Sequence, residues 1–164
     1  MGKVYTIGYQ RHDINTFIDE LKGHDVSVVI DVRGYPRSRR RCFSKHQLKK
    51  ALKSEGIDYI HLKALGVPYV MRMKYKDTRD LAQLFEEYSY CLARAQDQLE
   101  VIKTLSKSFN VCLMCYEEDP MECHRYVIAE ELKKDGCSVE HIISESKEEE
   151  NLREEVVEIE GQTH

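Results

Sequence analysis

Short apolar segments alternate with amphipathic segments along most of the chain, and this alternation most limits what the chain can fold into. Five segments rich in β-branched residues have the length of strands, at positions 4–8, 26–32, 57–62, 110–116 and 139–143. The segments between them place apolar residues at helical spacing. Strands that alternate with helices favour a parallel sheet with helices on its faces. We therefore predict an α/β fold, a single domain of three layers with a mostly parallel sheet and helices on both faces.

Capping residues predict where two of the helices begin. Ser44, with Gln47 three residues later, has the pattern of a capping box. Asp119 followed by Pro120 is typical of a helix N-terminus, because aspartate caps the first turn and proline fits the first helical position. We therefore expect one helix to start after Ser44 and the last helix to start directly after Asp119.

The charge is distributed unevenly along the chain. The formal net charge is −4, from 25 basic and 29 acidic residues. Eight of the glutamates lie between positions 145 and 160, where only one lysine and one arginine balance them. Acidic runs of this kind are usually solvated segments. We predict an α/β domain over residues 1–144 and an acidic C-terminal tail over residues 145–164.

The sequence also favours one cellular setting. No apolar run approaches the ~20 residues that a helix needs to cross a bilayer, and the N-terminus lacks the features of a signal peptide. The six cysteines do not suggest a disulfide framework, which requires a secreted context. We therefore expect a cytoplasmic protein without membrane contact, whose thiols are free or act as ligands.

Residues that follow the strands are the candidates for a functional site, because ligands of parallel sheets bind beyond the carboxyl ends of the strands. Tyr9 follows the first strand and Arg33 follows the second. Cys115 and Glu117 follow the fourth. All of these strand ends should lie at one edge of the sheet, so we expect these side chains to line one cleft together with Arg39 and His124.

Five arginines lie on or next to the loop after the second strand: Arg33, Arg37, Arg39, Arg40 and Arg41. Planar guanidinium groups bind phosphate or carboxylate through two parallel hydrogen bonds. Arg33 and Arg39 are the stronger candidates for an anion site, since Arg33 directly leaves a buried strand. For the other three arginines, a solvated basic loop with internal ion pairs is the better interpretation.

The cysteines allow three interpretations: a metal site, a catalytic thiol, or packing. Cys112 and Cys115 have the spacing of half a zinc site, but residues three apart in a strand point to opposite faces. Cys112 should therefore be buried as a small apolar residue. A metal site built from Cys115, Cys123 and His124 stays open as an alternative.

A catalytic thiol fits this segment better. Cys115 ends a strand in the expected cleft, and Cys123 is the rival nucleophile near the start of the last helix. Nearby cations favour a thiolate. Glu117 and His124 are candidates for the acid and base that such chemistry requires.

Four stretches together resemble one family: TIGYQ, VVIDVRGYPRSRRRCF, GIDYIHLKALG and CLMCYEEDPMECHRYVIAEEL. The resemblance is to the domain of unknown function 488 family and extends from Thr6 to about Ile142. It implies an α/β fold and a polar pocket, and it implies no reaction. Gln10 replaces the serine that is usual there. The positions that match the family pattern are Tyr9, Asp31, Arg33, Pro36, Ser38, Arg39, Phe43, Cys115, Glu117, Pro120, Cys123, His124 and Arg125.

The leading hypothesis is a cytoplasmic enzyme that acts on a phosphate-bearing substrate such as a nucleotide or a nucleic acid, without a metal or another cofactor. The predicted catalytic residues are Cys115, Glu117, Cys123 and His124. The predicted substrate-binding residues are Tyr9, Arg33, Ser38, Arg39 and Arg125. Two alternatives remain: a non-catalytic module that binds a nucleotide or nucleic acid, and a small Cys/His metal-binding protein.

Overall fold

Five parallel strands form the centre of the molecule in the computed structural model, which describes residues 2–144. The strands are β1 (Val4–Gly8), β2 (Val28–Asp31), β3 (Asp58–His61), β4 (Val111–Cys115) and β5 (Val139–His141). Their order across the sheet is β3-β2-β4-β1-β5, and every neighbouring pair is parallel. This arrangement confirms the predicted α/β fold. The predicted acidic tail lies outside the described residues.

Helices connect the strands throughout residues 2–144. The α-helices are α1 (Ile14–Gly23), α2 (Lys45–Ser54), α3 (Tyr69–Thr78), α4 (Leu81–Ala93), α5 (Gln96–Ser106) and α6 (Arg125–Lys134). Two short 3-10 helices cover Lys63–Leu65 and Pro120–Glu122. Within this described part of the chain, no helix is both long and apolar enough to span a membrane.

The central strand β4 is buried on both of its faces. Leu113 and Cys115 pack in one core with side chains of α4, α5 and α6. Cys112 and Met114 pack in a second core with side chains of α1 and α2. The prediction that Cys112 and Cys115 point to opposite faces is therefore confirmed. Burial on both faces also explains why β4 is an almost continuous apolar run.

The start of the last helix differs from the prediction. The Asp119 side chain accepts a hydrogen bond from the Met121 amide, but it caps only the 3-10 helix that begins at Pro120. The backbone then becomes extended at Cys123 (φ −126°, ψ 143°), and α6 begins only at Arg125. This break buries the Cys123 side chain, which is 1% exposed.

The capping box predicted at Ser44 is also wrong, although α2 begins where expected. The Ser44 hydroxyl makes no capping bond and instead exchanges hydrogen bonds with the backbone of Ser38 (3.0 and 3.2 Å). The Gln47 side chain accepts a hydrogen bond from the Cys42 amide, 3.2 Å away. Cys42 has a φ of 73°, in the left-handed region. Both polar side chains therefore hold the arginine-rich loop in a fixed turn, and the helix end has no side-chain cap among the described residues.

Candidate functional site

A cavity of about 420 Å³ opens at the carboxyl edge of the sheet, beside α3. Tyr9 reaches it from the end of β1, Arg33 from the end of β2 and Cys115 from the end of β4. Glu117 and His124, from the segment between β4 and α6, also line it. The parallel arrangement therefore brings residues that are far apart in sequence to one place.

Two thiols and one imidazole converge beside this cavity. The Sγ atoms of Cys115 and Cys123 each lie 3.8 Å from Nδ1 of His124. The three side chains are buried, and their sulfur and nitrogen atoms all lie within 4.8 Å of one another. On the other side of the ring, Nε2 lies 2.8 Å from the carbonyl oxygen of Val32. Since a carbonyl only accepts, Nε2 carries a proton, and Nδ1 of the neutral ring turns its lone pair toward the sulfurs.

The pKa values of the three side chains in this cluster are shifted in different directions. Burial opposes ionisation of Cys123, but the hydrogen bond from Cys115 and the charge of His124 lower the pKa of the Cys123 thiol well below its ordinary value. The hydrogen bond to Cys123 and burial raise the pKa of Cys115. Burial lowers the pKa of His124, yet the facing Cys123 thiolate raises it overall. Of the two thiols, Cys123 is therefore the one whose ionisation its surroundings favour, and Cys115 is the one that retains its proton.

A carboxyl group lies next to this cluster. Within residues 2–144, Oε2 of Glu117 is buried and has no hydrogen-bond partner. Burial and then the charge of Cys123 raise the pKa of Glu117 to about 7. A carboxyl group that titrates near neutral pH can both donate and accept a proton. Glu117 therefore has the protonation behaviour of a general acid or base.

Most N–H groups of the Arg33 guanidinium donate hydrogen bonds within the protein. Its Nε and Nη2 atoms donate to the two carboxylate oxygens of Asp31 (2.9 and 2.8 Å). Its Nη1 atom donates to the Phe43 carbonyl (2.8 Å) and the Tyr9 hydroxyl (3.3 Å). The Tyr59 hydroxyl donates to the same Asp31 carboxylate. Among the residues that the structure describes, these contacts use four of the five guanidinium N–H groups and leave one N–H of Arg33 for a ligand.

Arg125 lies behind the cavity and is fully buried. Its guanidinium donates to the carbonyl oxygens of Glu117 and Glu118, and its Nε atom donates to the Thr6 hydroxyl (3.2 Å). These bonds fix the loop that carries Glu117 and leads to Cys123. The geometry gives Arg125 a positioning role, and its direct contact with substrate stays a prediction that this placement does not favour.

The other four loop arginines differ in placement, and Arg41 is exposed to solvent. Arg40 donates to the carbonyl oxygens of Tyr9, at 2.9 Å, and of two residues that follow it. Arg39 is exposed and lies with Ser38 on an adjoining cavity of about 790 Å³. Arg37 lines both cavities. The prediction that Arg39 lines the same cleft as Cys115 and His124 is therefore wrong, because its loop directs it to the adjoining cavity with Ser38. The substrate-binding roles of Ser38 and Arg39 stay predictions.

Three cations that the sequence analysis did not single out line the smaller cavity. Arg72 and Lys76 lie four residues apart on α3, and Arg79 directly follows that helix. Residues four apart share one face of a helix. Helix α3 has no fully buried residue, so an apolar face could not show how it is oriented. The helical spacing of its basic residues was the one sequence signal that could have indicated a cationic face. The acids that line the same cavity are Glu117 and Glu122.

Aromatic rings stand among these cations. The four tyrosines that line the cavity are Tyr9, Tyr35, Tyr75 and Tyr116. The guanidinium carbon of Arg72 lies 5.5 Å from the centre of the Tyr35 ring, and that of Arg79 lies 5.9 Å from the Tyr75 ring. Tyr35 and Tyr116 are 55% and 42% exposed, so part of each ring is open to a planar ligand. Cations interleaved with exposed aromatic rings suit a ligand that is both anionic and aromatic.

The fold and the site together define an α/β protein with a Cys/His cluster at the edge of a polar, basic pocket. The chain belongs to the family described as domain of unknown function DUF488, whose model matches residues 13–132, most of the chain. The match includes the Cys/His cluster and excludes Tyr9. No curated protein and no solved structure matches the chain.

Proposed function

We propose that this protein is a cytoplasmic enzyme that acts on a phosphate-bearing substrate, such as a nucleotide or a nucleic acid. One observation carries the proposal: a thiol, a carboxyl group and an imidazole line the same cavity as a basic, aromatic wall. The cytoplasmic location is supported by six free cysteines, which are typical of a reducing compartment.

The wall supports the substrate class. Arg37, Arg72 and Lys76 bring positive charge to the cavity, and the guanidinium groups have the shape that phosphate oxygens require. Tyr35 and Tyr116 offer exposed rings on which a base can stack. The cavity volume of about 420 Å³ is within the ~300–1,000 Å³ of small-molecule sites.

The cluster supports the assignment as an enzyme. Cys115, Glu117 and His124 line the cavity, and Cys123 lies directly behind them against His124. Glu117 is placed to transfer protons, and Cys115 is the thiol nearest to a bound substrate. Over residues 2–144, the Glu117 carboxyl group has one buried oxygen without a hydrogen-bond partner, which leaves that oxygen available to a ligand or a proton.

Calorimetric titration with nucleoside 5′-mono-, di- and triphosphates and with inorganic phosphate tests the substrate class. Arg72→Ala and Lys76→Ala should each raise the Kd of the bound nucleotide about tenfold, which corresponds to ~1.4 kcal/mol. Lys74→Ala is the matched control, because Lys74 lies on the same helix but pairs with Glu87 (2.5 Å) outside the cavity. Absence of binding at millimolar concentration, or an equal effect of Lys74→Ala, contradicts the proposal.

Turnover separates an enzyme from a binding module. Wild-type protein and Glu117→Gln are incubated with the same nucleotides and with a 5′-phosphorylated oligonucleotide, and the products are followed by chromatography and mass spectrometry. The variant keeps the size of the side chain but removes the ionisable group, so it should bind normally and turn over at least tenfold more slowly. Tight binding without turnover by the wild type favours the non-catalytic module instead.

A further inference from the structure

The two thiols and the imidazole beside the cavity have the arrangement of a metal site. Zinc binds thiolate sulfur at ~2.3 Å and imidazole nitrogen at ~2.0–2.1 Å, so a tetrahedral centre separates sulfur from nitrogen by about 3.6 Å. The two distances from Nδ1 of His124, to the sulfurs of Cys115 and Cys123, are both 3.8 Å. Equal distances are expected when all three atoms face a common centre.

The orientation of His124 agrees with the same interpretation. A metal-bound histidine usually donates its other ring N–H to a carbonyl or carboxylate, which fixes both the tautomer and the ring plane. His124 makes this bond through Nε2 to Val32, at 2.8 Å. The bond leaves Nδ1, the nitrogen that faces the sulfurs, without its proton in the neutral ring.

The backbone around the cluster is also held in place before any ligand binds. Cys115 is the last residue of β4, so the sheet fixes its position. Cys123 lies at the extended break before α6, and Arg125 fixes the preceding loop through the carbonyls of Glu117 and Glu118. A preformed pair of sulfur ligands with imidazole selects Zn²⁺ over the hard ions Mg²⁺ and Ca²⁺.

We propose that Cys115, Cys123 and His124 bind one Zn²⁺ ion at the wall of the cavity. Three protein ligands leave a fourth position open, as in catalytic zinc sites. Cys115 and His124 both line the cavity, so the open position faces the space in which a substrate would lie. Zn²⁺ bound there would supply a Lewis acid at the cavity wall, and Glu117 lines the same cavity. The binding of Zn²⁺ stands on the cluster alone, whereas its catalytic role rests on the proposed function.

Metal analysis of the full chain, purified without a metal-affinity tag, tests the site. Elemental analysis should find one zinc per chain, and apo protein should take up Co²⁺ with the visible absorption bands of tetrahedral cobalt–thiolate coordination. Cys115→Ser, Cys123→Ser and His124→Gln should each weaken Zn²⁺ binding more than a hundredfold in competition with a chromogenic chelator. The matched control is Cys112→Ala, which removes a buried thiol from the same strand on the opposite face of the sheet.

The cobalt spectrum of the wild-type protein keeps the test valid if a variant fails to fold. A wild-type chain that stays free of zinc and takes up no Co²⁺ overturns the proposal, as does loss of binding in Cys112→Ala equal to that in Cys115→Ser. In that case faster alkylation of Cys123 than of Cys112 near neutral pH favours a catalytic thiol instead. Metal binding and nucleotide binding are measured separately, so failure of the zinc site leaves the nucleotide titration to stand or fall by itself.

Discussion

The buried ion pair between Asp31 and Arg33 offers the sharpest test of how the site is built. Asp31 is 0% exposed, and Arg33 contacts it through the backbone amide, Nε and Nη2. Arg33→Met keeps the bulk of the side chain but leaves the carboxylate with only the amide of residue 33 and the hydroxyl of Tyr59. Removing one partner of a buried pair costs ~3–5 kcal/mol, because the remaining charge stays in a medium that solvates it poorly.

Urea denaturation followed by circular dichroism measures this cost. For a slope of ~1–3 kcal/mol/M, the midpoint should fall by at least about 1 M. The control is Lys22→Met, which breaks the exposed pair with Glu55, where the Lys22 side chain is 51% exposed. Exposed pairs contribute ~0–1 kcal/mol, so the control midpoint should hardly move.

A double variant provides a second readout for the same pair. Replacing Asp31 by Asn in the Arg33→Met background removes the stranded charge, so the second substitution should recover part of the lost stability. Residues in direct contact deviate from additivity by ~0.5–3 kcal/mol, and this deviation is the expected sign of the pair. Two results together would refute the reasoning. Arg33→Met would be as stable as Lys22→Met, and the changes in unfolding free energy caused by the Asp31 and Arg33 substitutions would simply add in the double variant.

Two further variants test the loop between β4 and α6. Gly8→Ala should destabilise the fold and weaken Zn²⁺ binding, because a Cβ at Gly8 would lie 1.8 Å from the Glu117 carbonyl oxygen. Gly23→Ala is its control: a Cβ there meets nothing within 4 Å at the end of a helix, so a gain of up to ~1 kcal/mol is expected in urea denaturation. Arg125→Met should cost ~2–4 kcal/mol in the same assay, because it leaves one buried and one partly buried carbonyl without their charged donor. A cost below 1 kcal/mol contradicts the positioning role.

The sheet and its edge could be predicted because their sequence signals are local. β2 and β4 are short apolar runs between polar segments, and parallel connection then places their carboxyl ends together. That rule was enough to bring Tyr9, Arg33, Cys115 and Glu117 to one cavity. It required no knowledge of any side-chain contact.

The cations of α3 were missed for a physical reason. Periodicity identifies a helix through its buried apolar face, and α3 has no fully buried residue. Which face of such a helix meets a cavity depends on tertiary packing. The position of Arg39 failed to follow from sequence for a similar reason, since the turn at Cys42 and the Ser38–Ser44 contact decide where that loop points.

The segment from Cys115 to Arg125 shows how one short motif combines a site with its own support. Asp119 and Pro120 form a single 3-10 turn, which ends before Cys123 and returns the chain to the sheet edge. There the Cys123 sulfur comes within the same 3.8 Å of His124 Nδ1 as the sulfur of Cys115. Arg125, which follows His124, donates hydrogen bonds to the carbonyls of the loop that precedes Cys123. A continuous helix from Pro120 would abolish the extended backbone at Cys123, so the interruption of the helix is what assembles the cluster.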